Sequence, residues 1–184
     1  MTEPLSVLNT SYRVICLLGH GKGGYSYLVT DGATQYVLKQ IHHEPCSYYS
    51  FGDKLAAEVS DYETLRAIGI PMPRLIAFDR ENERILKEYI EGDTVFDRIA
   101  RGEDVLPYRA QVESMCALLY PAGKNIDYFP TNFVIRDDQI FYVDYECNDY
   151  MEEWDFAHWG IQYWSQTEAF LAYLASQKAD VQRS

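Results

Sequence analysis

Three side chains in the C-terminal half stand at a spacing that could do chemistry: Asp127, Asn132 five residues on, and Asp144 closing the short apolar run Phe141-Tyr142-Val143. A loop carboxylate can orient an attacking hydroxyl and accept its proton, while an amide and a second carboxylate downstream are hard oxygen ligands suited to Mg²⁺. Phosphoryl transfer from ATP calls for that division of labour, with Asp127 as the catalytic group and Asn132 and Asp144 as metal ligands. Asx-turns produce the same Asp-to-Asn spacing, so the reading depends on what stands upstream.

Such a constellation needs a phosphate-binding loop, a cation and elements to position them. Gly19-His20-Gly21-Lys22-Gly23-Gly24 carries a G-x-G-x-x-G pattern, through Gly19, Gly21 and Gly24, between two β-prone runs, Tyr12–Leu18 and Tyr25–Thr30. Glycines let the backbone turn sharply and lie close over phosphates. A Rossmann unit would need a helix directly after them, whereas Tyr25-Ser26-Tyr27-Leu28-Val29 predicts a strand and so a phosphate-covering hairpin. Tyr36–Ile41 predicts the next strand and carries Lys39, which taken singly reads as an exposed lysine on an edge strand. A helix follows over Phe51–Ile68, with Glu58, Asp61, Tyr62 and Leu65 on one face and Glu63 on another, and Gly69-Ile70-Pro71-Met72-Pro73 ends it. Two more strands, Arg74–Phe78 and Arg84–Tyr89, flank a polar turn.

In this order the segments resemble the protein-kinase-like fold over about Leu17 to Trp159. The resemblance implies an α+β, two-lobed fold: an N-lobe over residues 1–89 with a small antiparallel sheet and one helix, and a minimal, mostly helical C-lobe over 90–184, together one catalytic domain with ATP between the lobes. Tyr36-Val37-Leu38-Lys39 looks like the V-A-I-K strand, so Lys39 would contact the α and β phosphates and pair with Glu58, or failing that Asp61. Lys87-Glu88-Tyr89-Ile90-Glu91-Gly92 resembles the hinge, where the Glu88 carbonyl and the Ile90 amide would read the adenine edge. Asp144-Tyr145-Glu146 is similar to the D-[WFY]-E of aminoglycoside, choline and homoserine phosphotransferases rather than to D-F-G. Trp154-Asp155-Phe156-Ala157 looks like their D-L-A segment, whose Asp braces the catalytic loop from a following helix. The implied activity is ATP-dependent transfer of the γ-phosphate to a hydroxyl of a small-molecule acceptor.

Departures from the family shape that expectation. Asn125 stands where most members have His, so how Asp127 is held is open. Phe129 replaces the phosphate-contacting Lys of serine/threonine protein kinases. Ten residues separate Asp144 from Asp155, too few for an activation segment or peptide-docking region. One helix, Glu153 to about Lys178, is expected to follow, without the antibiotic-binding helices of the aminoglycoside enzymes. Two alternatives remain: a pseudokinase acting as a nucleotide-binding or interaction module, and a sugar-, lipopolysaccharide- or protein-type kinase.

Composition narrows the partners. A net charge of −12 on 184 residues argues against nucleic-acid binding, which needs clustered Lys and Arg. Met1–Ser11 lacks the basic start and apolar run of a signal peptide, no stretch is a membrane span, and a cytoplasmic location is expected. Cys16, Cys46, Cys116 and Cys147 show no metal spacing and read as reduced thiols packed among apolar groups. His42 and His43 read as surface residues, His20 as a solvated loop position and His158 as a structural helix residue. Asp137, Asp138, Glu146, Asp149, Glu152 and Glu153 form an acidic run that reads as solvated surface, or, if it faces the site, as a preference for a cationic acceptor. Of the sixteen tyrosines, Tyr120, Tyr128, Tyr142, Tyr145, Tyr150 and Tyr163 read as core and rim rather than as an aromatic pocket.

Overall fold

The computed structural model describes residues 3–21, 23–43 and 53–181. Lys22, Cys46, the expected helix start at Phe51 and the last residues of the polar tail lie outside them. The described residues form an α+β structure with an antiparallel six-stranded sheet, two small two-stranded sheets and four α-helices. The chain divides into two compact units, Met1–Tyr62 with Pro73–Tyr89, and Glu63–Met72 with Ile90–Ser184.

The first unit is built on β1 (Leu5–Val7), β2 (Thr10–Gly21), β3 (Gly24–Thr30) and β4 (Gln35–Ile41), then the part of α1 (Lys54–Ile68) up to Tyr62, β5 (Leu75–Asp79) and β6 (Arg84–Glu88). The sheet order is β1-β2-β3-β4-β6-β5, so β6 lies between β4 and β5. Alternation along the strands separates two apolar layers. Leu38 and Leu86 point one way, onto Val7, Tyr12 and Val29. Ile41 and Ile85 point the other way, onto Leu55 and Val59 of α1. Lys39, two residues before Ile41, therefore belongs to the face that α1 covers. Gly69 ends α1 in the left-handed region at φ 98°, and its N–H and that of Ile70 both return to the Leu65 carbonyl.

The second unit holds α2 (Val95–Ala100), α3 (Leu106–Leu119), β7 (Lys124–Asn125), β8 (Phe133–Arg136), β9 (Gln139–Tyr142), β10 (Asn148–Asp149) and α4 (Glu168–Val181). Thr94 and Asp97 close a capping box at the start of α2. From α3, Val112, Met115 and Leu119 enter a core shared with Tyr128, Phe133, Ile140, Tyr142, Phe156, Trp164 and Phe170. β8 and β9 make a hairpin turned by Asp137 and Asp138, both at positive φ, as a two-residue turn between right-twisted strands demands.

The helix expected from Glu153 to about Lys178 is not continuous. Two 3₁₀ turns, Glu152–Trp154 and Gly160–Tyr163, precede α4. The break has local causes. Gly160 packs so closely that a Cβ there would lie 2.6 Å from Tyr128 Cβ and 2.8 Å from Phe156, so the chain bends around the aromatic core. Thr167 then restarts the helix, its hydroxyl accepting the Phe170 N–H at 3.2 Å. His158, expected on a helix, lies in the turn between the two 3₁₀ segments. No helix of the described residues is long and apolar enough to cross a membrane.

Candidate active site

In the first unit the glycine pattern forms a β2–β3 hairpin and is followed by a strand. Gly21 pairs with Gly24 across it. At Gly24 a Cβ would lie 2.3 Å from the Gln40 carbonyl oxygen, so the close approach of β3 to β4 admits no side chain. At Gly19 and Gly21 no atom of the described residues, chain neighbours aside, lies within 4 Å of where a Cβ would stand. Gly23 faces the lysine: a Cβ there would meet Lys39 Nζ at 3.1 Å. Lys39 is no exposed edge lysine, since β4 is paired on both sides. Its Nζ donates to Glu58 Oε2 at 2.7 Å, with both side chains only 12% exposed. Of the two acidic candidates on α1, Glu58, the first choice, meets Lys39.

The hairpin also carries rings. His20 stacks on Tyr25 at 4.3 Å, and His42 Nε2 lies 3.0 Å from the Gly21 carbonyl. His43 sits 2.7 Å from the Glu83 carboxylate. Glu88 ends β6 with its N–H on the Arg74 carbonyl at 2.9 Å and its carboxylate 3.2 Å from Arg74 Nε. The Ile90 side chain is buried.

In the second unit the structure brings Asp127, Asn132 and Asp144 to one end of the β8–β9 hairpin. Asn132 immediately precedes β8, Asp144 is the second residue after β9, and the Val143 N–H donates to the Asn132 carbonyl at 2.9 Å. The twelve-residue separation of Asn132 and Asp144 is therefore a hairpin folded back on itself. Asp127 Oδ1 accepts the Phe129 N–H at 3.0 Å, closing a tight turn, and Asn132 Nδ2 reaches the Asp127 carbonyl at 3.4 Å. With Nδ2 so used, the Asn132 amide oxygen is the atom left to act as a ligand.

Residues outside the motifs hold this arrangement. Tyr142, wholly buried, donates its hydroxyl proton to the Glu146 carbonyl at 3.0 Å and accepts the Asp127 N–H at 3.4 Å, linking the segments that carry Asp127 and Asp144. Burial, reinforced by the charges of Asp144, Asp127 and Glu146, pushes its pKa well up, so the hydroxyl stays protonated. Asn125, buried at 3% exposure, directs Nδ2 to the carbonyls of Trp154 at 3.1 Å and Met151 at 3.4 Å, so it ties the strand before Asp127 to the 3₁₀ turn. Trp164 donates Nε1 to the Tyr128 carbonyl at 2.7 Å. Burial beside Cys116 and Tyr120 raises the Tyr128 phenol.

Asp155 does not brace the Asp127 loop. Its Oδ1 accepts the His158 N–H and faces His158 Nδ1, both at 2.8 Å, and its Oδ2 accepts from Tyr150 at 3.2 Å. Those bonds hold the Asp155 pKa down against its burial and raise that of His158. The bracing expected of it falls to Trp164 and Asn125. The acidic run disperses as well. Asp137 and Asp138 turn the far end of the hairpin, roughly 13 Å from Asn132 for four residues of strand, and Asp149 pairs with Lys124 at 2.8 Å. Tyr128, Tyr142 and Tyr145 are fully buried, in line with a core role, whereas Cys16 is exposed rather than packed.

No group of three or more His, Cys, Asp and Glu side chains able to hold a metal occurs among the described residues. Mg²⁺ arriving with nucleotide phosphates requires less, usually one or two protein oxygens with the remainder from phosphate and water. An Asn132 amide oxygen and an Asp144 carboxylate match that need. Compared with known proteins, the chain matches no family model and no curated protein.

Proposed function

We propose that this chain is an ATP-dependent phosphotransferase of the protein-kinase-like type, moving the γ-phosphate to a hydroxyl of a small molecule. The observation that carries the proposal is the coincidence of two independent groupings in the order the chemistry requires: Lys39 paired with Glu58 beside a glycine hairpin, and Asp127, Asn132 and Asp144 gathered at one hairpin end. In this reading the Gly19–Gly24 hairpin covers the phosphates and Lys39, oriented by Glu58, contacts the α and β phosphates. The Glu88 carbonyl and the Ile90 amide read adenine. Asn132 and Asp144 are the Mg²⁺ ligands, and the ion neutralises charge on the phosphates. Asp127 orients the acceptor hydroxyl in line and takes its proton.

A small acceptor follows from the short stretch between Asp144 and Asp155, whose residues run through β10 and a single 3₁₀ turn and offer no peptide-docking segment. The test is a radiolabelled γ-phosphate transfer screen. Small polar alcohols and aminoalcohols are expected to be labelled and generic protein substrates not; robust transfer to protein with none to small molecules would overturn the acceptor class.

A further inference from the structure

A pocket of about 270 Å³ in the second unit, at the start of α3, belongs to none of the groups described so far. Its lining includes the buried apolar Ile99, Val105 and Trp164, the half-buried Arg109, the exposed Ser165, and the carboxylates of Glu103 and Asp104.

The charges here are unevenly matched. Arg98 and Arg101 both engage Glu103, the former at 2.8 Å, and Arg101 also reaches Asp93 at 2.7 Å. Asp104, at the pocket edge, spends Oδ1 on the Leu106 N–H at 2.9 Å. Arg109 has no ion pair or hydrogen bond from its side chain among the described residues, and its Nε is buried without an acceptor. A guanidinium presents a planar fork that fits a carboxylate in two parallel bonds.

We propose that this pocket binds a small organic carboxylate, its anionic end on the Arg109 guanidinium and its apolar part against Ile99, Val105 and Trp164. The volume sits just below the usual range of ligand pockets, about 300–1,000 Å³, which limits the occupant to a molecule of roughly ten heavy atoms. The occupant touches the indole whose Nε1 holds the Tyr128 carbonyl, next to Asp127. Binding requires no nucleotide, so this site stands or falls independently of phosphotransferase activity.

The probe is benzoate, titrated into the full chain without nucleotide and followed by calorimetry and by the indole N–H signals in NMR. Saturable binding is expected on the order of millimolar, the range open to so small a ligand. The uncharged isostere benzamide should bind at least about tenfold more weakly, because it offers no charge to the guanidinium. Arg109→Gln should weaken benzoate by a similar factor. Ser165→Trp, at an exposed wall position, should block the pocket while leaving Arg109 in place, and it decides the matter if Arg109→Gln does not fold. Absence of saturable binding to the folded parent, equal binding of benzamide, or parental affinity in Ser165→Trp would each overturn the proposal.

Discussion

In the first unit the key groups hold each other: Lys39 on β4 meets Glu58 on α1 directly at 2.7 Å, because alternation puts Lys39 on the face that Leu55 and Val59 cover. In the second unit the backbone takes part: Asn132 Nδ2 reaches the Asp127 carbonyl at 3.4 Å and the Val143 N–H donates to the Asn132 carbonyl at 2.9 Å. Asp127, Asn132 and Asp144 are placed by backbone bonds, and the side chains that fix that backbone, Tyr142, Asn125 and Trp164, carry no motif signature. Where two functional side chains form one ion pair, each reports the other. Where a site is set by loop geometry, control passes to buried polar anchors behind it, and a substitution there acts at one remove.

The sharpest way to divide the two regions is Asp127→Asn. It keeps the size of the side chain and removes its basicity, so turnover with a competent acceptor should fall by roughly 10²-fold or more while Mg-ATP affinity stays near parental. Parental turnover in the variant would exclude Asp127 as the base. Tyr142→Phe should act more mildly. It deletes only the hydroxyl that joins the Asp127 and Glu146 segments, at a cost of about 1 kcal/mol in unfolding free energy and about tenfold in turnover. In an Asp127→Asn background it should cost almost no further turnover, because its effect passes through Asp127; full additivity would break the argument that buried anchors set this site.

The smallest effect is expected in the first unit, at Asp79, and concerns stability rather than chemistry. Its carboxylate accepts the Asn82 N–H, the Asn82 side-chain amide and the Leu8 N–H, which together hold its pKa down at about 2. Because the folded value lies below the unfolded one, the stabilisation is complete above about pH 4 and is lost as pH falls through about 2. Asp79→Asn should therefore melt below the parent at pH 7, and the gap should narrow between pH 4 and pH 2. A gap independent of pH would show that the ionised carboxylate contributes nothing.

Residues that act through fixed local spacing were legible in advance. The glycine hairpin, the Lys39 strand and the α1 face follow from period-2 and period-3.6 patterns, whereas the β8–β9 hairpin that returns Asp144 to Asn132 shows in the sequence only as a short apolar run before Asp144. Other features depend on contacts distant in sequence and left no local trace. The α4 region reads as one helix until Gly160 meets Tyr128, 32 residues earlier in the chain. Asp155 looked like a brace for the Asp127 loop, yet His158, three residues on, takes its Oδ1 and Tyr150 its Oδ2. Asn125 looked like a weakness because its partners, the carbonyls of Met151 and Trp154, are set by the 3₁₀ turn that no periodicity announced.

The most direct test of the central claim is the melting temperature with and without millimolar Mg-ATP, in the parent and in Asp144→Ala. Ligand that binds only the folded chain stabilises it by about 2.7 kcal/mol at a hundredfold excess over Kd, which is a shift of several degrees for a chain of this size. The account predicts such a shift in the parent and the loss of most of it in Asp144→Ala. An unchanged melting curve in the parent, or a full shift in Asp144→Ala, would contradict it.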